Sequence, residues 1–143
     1  MTKSLVLILG VVAFSAGMAT ASASIADTIV LKSELHGASE VPPNDSPAAG
    51  MVEATFDTET KLLTYTATFS GLTGPAIGAH FHGPAEPGEN AGIALPFLFV
   101  MSPVKGKATL SDAQAQDMLA GKWYANVHTE AHPGGEIRGQ LTR

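Results

Sequence analysis

Four of the five histidines in this chain fall into two short segments. Ala79-His80-Phe81-His82-Gly83 places two imidazoles at alternate positions, and Asn126-Val127-His128-Thr129 is followed at once by Glu130-Ala131-His132. In an extended strand alternate side chains point to the same face, so His80 and His82 project side by side while Ala79 and Phe81 face the other way. His128 ends a strand-like run from Trp123, and it completes a metal site if the two strands pair or face each other. Several neutral imidazoles with no carboxylate or thiolate between them suit Cu(II) in a tetragonal arrangement, and divalent affinity peaks at copper, so copper is the expected ion. Zinc also accepts imidazole in tetrahedral sites and is the alternative. The bland alternative is a pair of surface histidines on a polar strand face, with His128 as a hydrogen-bonded histidine at a sheet end. His132, in a loop, either ligates or supports a ligand, while His36 is expected to be an exposed loop residue.

These imidazoles need rigid strands, and the surrounding pattern supplies them. Thr28 to Leu35 alternates Leu31, Ser33 and Leu35 against Lys32 and Glu34, as a first strand would. His36 to Gly50 is dense in Gly, Pro, Asn and Asp and forms a long loop. Met51 to Phe56 and Leu62 to Phe69 alternate in the same way around the polar turn Asp57-Thr58-Glu59-Thr60-Lys61, which predicts a half-buried β-hairpin. The histidine strand Ile77 to His82 runs into a second Pro- and Gly-rich loop, residues 83–92, which should cover any metal site at the strand end. Ile93 to Met101 is apolar but contains Pro96, so it reads as an edge or irregular strand. Val104 to Leu110, Lys122 to His128 and Glu136 to Leu141 are further short strands. Ser111 with Gln114 three residues on forms a capping box, and Gly121 supplies a stop, which predicts one short helix. The expected fold is all-β: an antiparallel Greek-key β-sandwich or barrel with one short helix, and no internal repeat.

Composition removes other classes of function. A chain of 143 residues, 45% of them apolar, is one domain's worth with a real core. The absence of cysteine excludes disulfides, thiolate metal ligands and thiol nucleophiles. A net charge of −5 with no basic cluster argues against nucleic acid. Lys3, the apolar run Leu5 to Phe14 and the small residues Ala19 to Ala23 have the form of a signal peptide over residues 1–23, leaving a mature domain at 28–143. The run is interrupted by Ser15, Gly17 and Thr20, too early for the ~20 apolar residues of a stable membrane span. A secreted or periplasmic protein is therefore expected. Glu86 and Glu89 have no partner at a readable spacing, no serine sits in a nucleophile elbow, and Trp123 and Tyr124 suit the core and sheet face better than a carbohydrate platform.

Four ordered motifs resemble those of the CHRD domain, named for chordin. They are Gly37-Ala38-Ser39-Glu40-Val41-Pro42-Pro43, Ala79-His80-Phe81-His82-Gly83-Pro84-Ala85, Trp123-Tyr124-Ala125-Asn126-Val127-His128-Thr129 and Pro133-Gly134-Gly135-Glu136-Ile137-Arg138-Gly139-Gln140-Leu141. The resemblance implies a secreted immunoglobulin-like or superoxide-dismutase-like sandwich. In bacteria it implies copper binding and superoxide dismutation; in chordin it implies antagonism of growth factors. His36 departs from the family's small or hydroxyl residue and receives no ligand role. His132 stands where asparagine is common, and it is the weaker candidate beside His80, His82 and His128. Cu,Zn superoxide dismutases are similar in their His-x-His strand pair and later Val-His. Without their zinc loop and cysteines, a copper-only enzyme is the expected form. Superoxide as substrate calls for a cation to attract it, and Arg138 is the candidate catalytic residue, with a Glu136 pair as its structural alternative. The rival expectations are a redox-silent copper or zinc carrier and a chordin-like interaction module with a protein partner or a homodimeric second copy.

Overall fold

The alternation of apolar and polar residues becomes burial in the computed structural model, which describes residues 27–143. The leader expected at residues 1–23 lies outside the described residues. Strand β1 (Thr28–His36) buries Leu31, Ser33 and Leu35 and exposes Lys32, Glu34 and His36. Strands β2 (Ala49–Asp57) and β3 (Leu62–Ser70) form the expected antiparallel hairpin, with Val52, Ala54, Phe56, Leu63, Tyr65 and Ala67 buried on one face. The histidine strand is β4 (Ala76–His82), followed by β5 (Ile93–Pro96), β6 (Val104–Thr109), helix α1 (Asp112–Leu119), β7 (Tyr124–Thr129) and β8 (Ile137–Gln140).

All strand pairs are antiparallel, in the order β5-β4-β7-β8-β1-β2-β3-β6. The chain crosses from β3 to the far side of the sheet at β4 and returns from β5 to β6 beside β3, so its connections cross in the Greek-key manner. Tyr65 on β3 nonetheless meets Phe81 on β4 edge to face, with centroids 5.1 Å apart, and packs on Phe97 at 4.6 Å. Strands so distant in sheet order touch only because the sheet curls around one apolar core, as a half-barrel. That curl buries the concave face and turns the histidines to the outer one. Helix α1 closes part of the core with Ala115 and Met118, and Ser111 and Gln114 form its capping box reciprocally at 3.2 and 3.0 Å.

The expected strand from Ile93 to Met101 is shorter than its apolar pattern suggested. Pro96 has no N–H to extend the ladder, and after one further bond from Phe97 N to Ala79 O (3.0 Å) the chain leaves the sheet. Phe97 enters the core, while Leu98, Phe99 and Met101 stand in solvent. Among the described residues no helix is long and apolar enough to cross a membrane.

Candidate metal centre

Strands β4 and β7 lie side by side, with Gly78 opposite His128, His80 opposite Asn126 and His82 opposite Tyr124. Ala79, Phe81, Ala125 and Val127 point into the core, so the alternate residues of both strands share the outer face. His80, His82 and His128 each bring a ring nitrogen to within 4.8 Å of the others. His80 Nδ1 lies 3.1 Å from His128 Nε2. With metal–nitrogen bonds of about 2.0–2.1 Å, neighbouring donor atoms stand about 3 Å apart, so this edge already has the dimension of a coordination polyhedron. Gly78 makes room for it: a Cβ there would sit 3.2 Å from His80 Cε1 and 3.7 Å from His128 Cδ2. The sequence signal for that glycine was available, two residues before the His-x-His pair on the same face.

Backbone carbonyls set the tautomers. His82 Nδ1 donates to Ala91 O and His128 Nδ1 donates to Pro133 O, both at 3.0 Å. A carbonyl only accepts, so the ring hydrogens are on Nδ1 and the lone pairs on Nε2. His80 Nδ1 in turn donates to His128 Nε2. Burial, and then the neighbouring His128 and His82 rings, push the His80 pKa down to about 4, and burial also lowers that of His82. Both rings are therefore neutral at neutral pH, as metal ligation requires.

The 83–92 loop covers this face through Ala91 and its neighbours. Tyr124 stacks parallel to His82, centroids 4.9 Å apart at 4°, and its hydroxyl accepts from Ala91 N at 3.2 Å. The Arg138 guanidinium lies 3.4 Å from the centre of the Tyr124 ring, donating to Asn90 Oδ1 at 2.9 Å and to Glu89 O. Tyr124 thus stands on the strand between those of His82 and Arg138, and Arg138 braces the ring and the loop together.

Other residues singled out by sequence lie elsewhere. His132 is not part of the convergent group; it lines a separate cleft with Glu40, Val41 and Pro42, and its backbone N donates to Thr129 O at 3.1 Å. His36 is exposed, with Nε2 3.7 Å from Glu34 Oε2. Glu86 meets Lys122 at 3.3 Å. The alternative pairing of Arg138 with Glu136 is replaced by a different network. Glu136 accepts from Ser46 Oγ (2.6 Å), Thr73 N (2.8 Å), Thr73 Oγ1 (2.9 Å) and Thr129 Oγ1 (2.6 Å).

Sequence reasoning missed Glu40. It is buried beside Arg138 and Asn126, and a Cβ on Gly135 (φ +130°) would collide with Glu40 Oε1. Burial pushes the Glu40 carboxyl up to about 7, against the pull of Arg138 and of hydrogen bonds from Val41 and Asn126. The unfolded chain releases this proton near 4.5 and the folded chain only near 7, so folding loses stability as pH rises across that window and is level above it. Glu40→Gln is expected to melt close to wild type at pH 4.5 and to gain about 1–2 kcal/mol on it by pH 7.5, after discounting for the adjoining cleft. Thermal melts of both proteins across this range check it; a constant difference would mean that Glu40 is not protonated in the fold.

An antiparallel, curled sheet with three converging imidazoles on its outer face and no cysteine defines an all-β protein with a cluster compatible with a metal site. The CHRD domain model matches residues 31–141, and the chain belongs to the CHRD family. No curated protein and no solved structure gives a significant match.

Proposed function

We propose that this chain is an exported copper-binding CHRD-domain protein whose ion is held by His80, His82 and His128, with superoxide dismutation as its reaction. The carrying observation is the convergence of three imidazoles, two of them with their tautomers fixed by backbone carbonyls: His82 Nε2 is free to ligate, and His128 Nε2 joins it once the His80 hydrogen moves from Nδ1 to Nε2. The donor set is nitrogen without thiolate, which suits copper first and zinc second. Copper, when bound, supplies the one-electron chemistry between Cu(II) and Cu(I) that dismutation needs. The protein's own part is positioning: Ala91 and Pro133 orient two rings, Gly78 admits the third, and Tyr124 limits access of water to His82. Arg138 supplies positive charge felt at His82 across the Tyr124 ring. Export, to the periplasm or medium, rests on the form of residues 1–23.

One observation favours the second reading, a redox-silent copper or zinc carrier. Arg138 has Asn90 and Glu89 as partners and stacks on the far side of Tyr124, where it holds the loop. The test is electron paramagnetic resonance on mature protein with one equivalent of Cu(II), followed by a dismutation assay on the same sample. A tetragonal signal with nitrogen couplings and activity is the expected result. The same signal without activity selects the carrier. No specific signal overturns the metal reading and leaves an interaction module, tested by capture of a secreted partner or by self-association.

A further inference from the structure

Asn126 sits in the middle of the histidine cluster. It is directly opposite His80 in the ladder, two residues from His128 on the same strand face, and diagonal to His82. Opposed residues in such a pair have Cβ atoms about 4.5–5.5 Å apart, within reach of one shared ion. The side chain is buried, and among the described residues its Oδ1 has no hydrogen-bond partner. Neither does His82 Nε2, also buried. Two such unsatisfied atoms at one place are uncommon, because an orphaned buried acceptor costs about 1–3 kcal/mol. The Asn126 amide lies beside the His82 ring. The ring hydrogen, however, is committed to Ala91 O on the opposite side. Two buried lone pairs on neighbouring residues therefore have no hydrogen to satisfy them, an arrangement that a cation resolves.

The other half of the amide is accounted for. Asn126 Nδ2 and Glu40 Oε1 both crowd the point where Gly135 lacks a Cβ, which places the amide nitrogen on the Glu40 side. The amide oxygen is left on the other side, toward the histidine strand. We infer that Asn126 Oδ1 is a fourth donor to the centre, making it three imidazole nitrogens and one amide oxygen, with Glu40 as the residue that orients the amide. A side-chain amide oxygen is a known weak donor to copper in sites whose stronger ligands include imidazoles. This inference rests on the metal reading above and adds a ligand to it.

The opposite amide orientation predicts the opposite sign. If Nδ2 donated to His82 Nε2, it would block that ligand, and removing the side chain would tighten metal binding. The experiment is a chelator-competition titration of Cu(II) into wild type, Asn126→Ala and Asn126→Asp. Oxygen ligation predicts about 10-fold or greater weakening for Asn126→Ala and affinity at least equal to wild type for Asn126→Asp. Unchanged or tighter binding by Asn126→Ala overturns the inference while leaving the three-histidine centre standing. Failure of wild type itself to bind stoichiometric Cu(II) overturns both. Should Asn126→Ala not fold, pulsed resonance on wild type carrying ¹⁵N in its asparagine side chains decides the point. Ligation through Oδ1 gives a weak remote ¹⁵N coupling, and the absence of that coupling overturns the assignment.

Discussion

His80→Ala is expected to abolish stoichiometric copper binding while leaving the sheet folded. His80 is the hub of the cluster: its ring lies 4.9 Å from that of His128 and 5.3 Å from that of His82, and its Nδ1 is the atom closest to another donor. Loss of a residue that merely supports a ligand costs about 10–100-fold in metal affinity, so loss of a ligand itself should exceed about 100-fold. The fold should survive because the core face of β4 carries Ala79 and Phe81, which the substitution does not touch. Metal analysis after gel filtration, beside a thermal melt, is the check. A folded variant that retains one copper per chain would remove His80 from the site and the proposed function with it.

The second large effect is on stability. Glu136→Ala is expected to destabilise the chain by about 3 kcal/mol, because it strands the Thr73 N–H and three hydroxyls that now converge on one carboxylate. Burial alone would raise the Glu136 pKa, but hydrogen bonds from Ser46, Thr129 and Thr73 overcome it and bring it down to about 2. A depressed acid stabilises above its unfolded value, here 4.5, and that contribution fades as pH falls from 4.5 toward 2. Glu136→Gln keeps the shape, and its amide can accept from Ser46 and donate to the threonine hydroxyls, so a smaller loss of about 1 kcal/mol is expected at pH 7. Urea unfolding at pH 7 and pH 3 measures both. Equal midpoints for wild type and Glu136→Ala at pH 7 would show that the network contributes nothing net.

The strands were legible because burial on one face writes a period of two into the sequence, and the same period placed His80 and His82 together. The capping box made the helix legible too. Pairing was not: β4 finds β7 across more than forty residues, and β8 closes against β1, through contacts that no local pattern encodes. His132 was grouped with His128 by nearness in sequence, but a turn of 3.0 Å and 3.1 Å backbone bonds between Thr129 and Gly135 intervenes, and His132 lines another cleft. Arg138 attracted notice as a nearby cation, whereas its surroundings, an aromatic ring and a loop, follow from strand order. Glu40, Glu136 and Asn126 were unreadable for a common reason. A polar residue in a loop or on a sheet's outer face is ordinarily solvated, and here the 37–48 and 83–92 loops fold over that face and bury it.

The separation of His80 and His82 from His128 orders events in the life of the protein. An unfolded chain offers only an isolated pair of imidazoles, while the third arrives with β7 and is oriented by Pro133 just before β8. Strand β8 must then find β1, at the other extremity of the described residues. Long-range pairings of this kind form late and slowly. A chain threaded unfolded through a translocation channel would therefore cross without its cargo and acquire it on the far side. Its occupancy would report the metal supply of the compartment where it folds rather than that of the compartment where it was made.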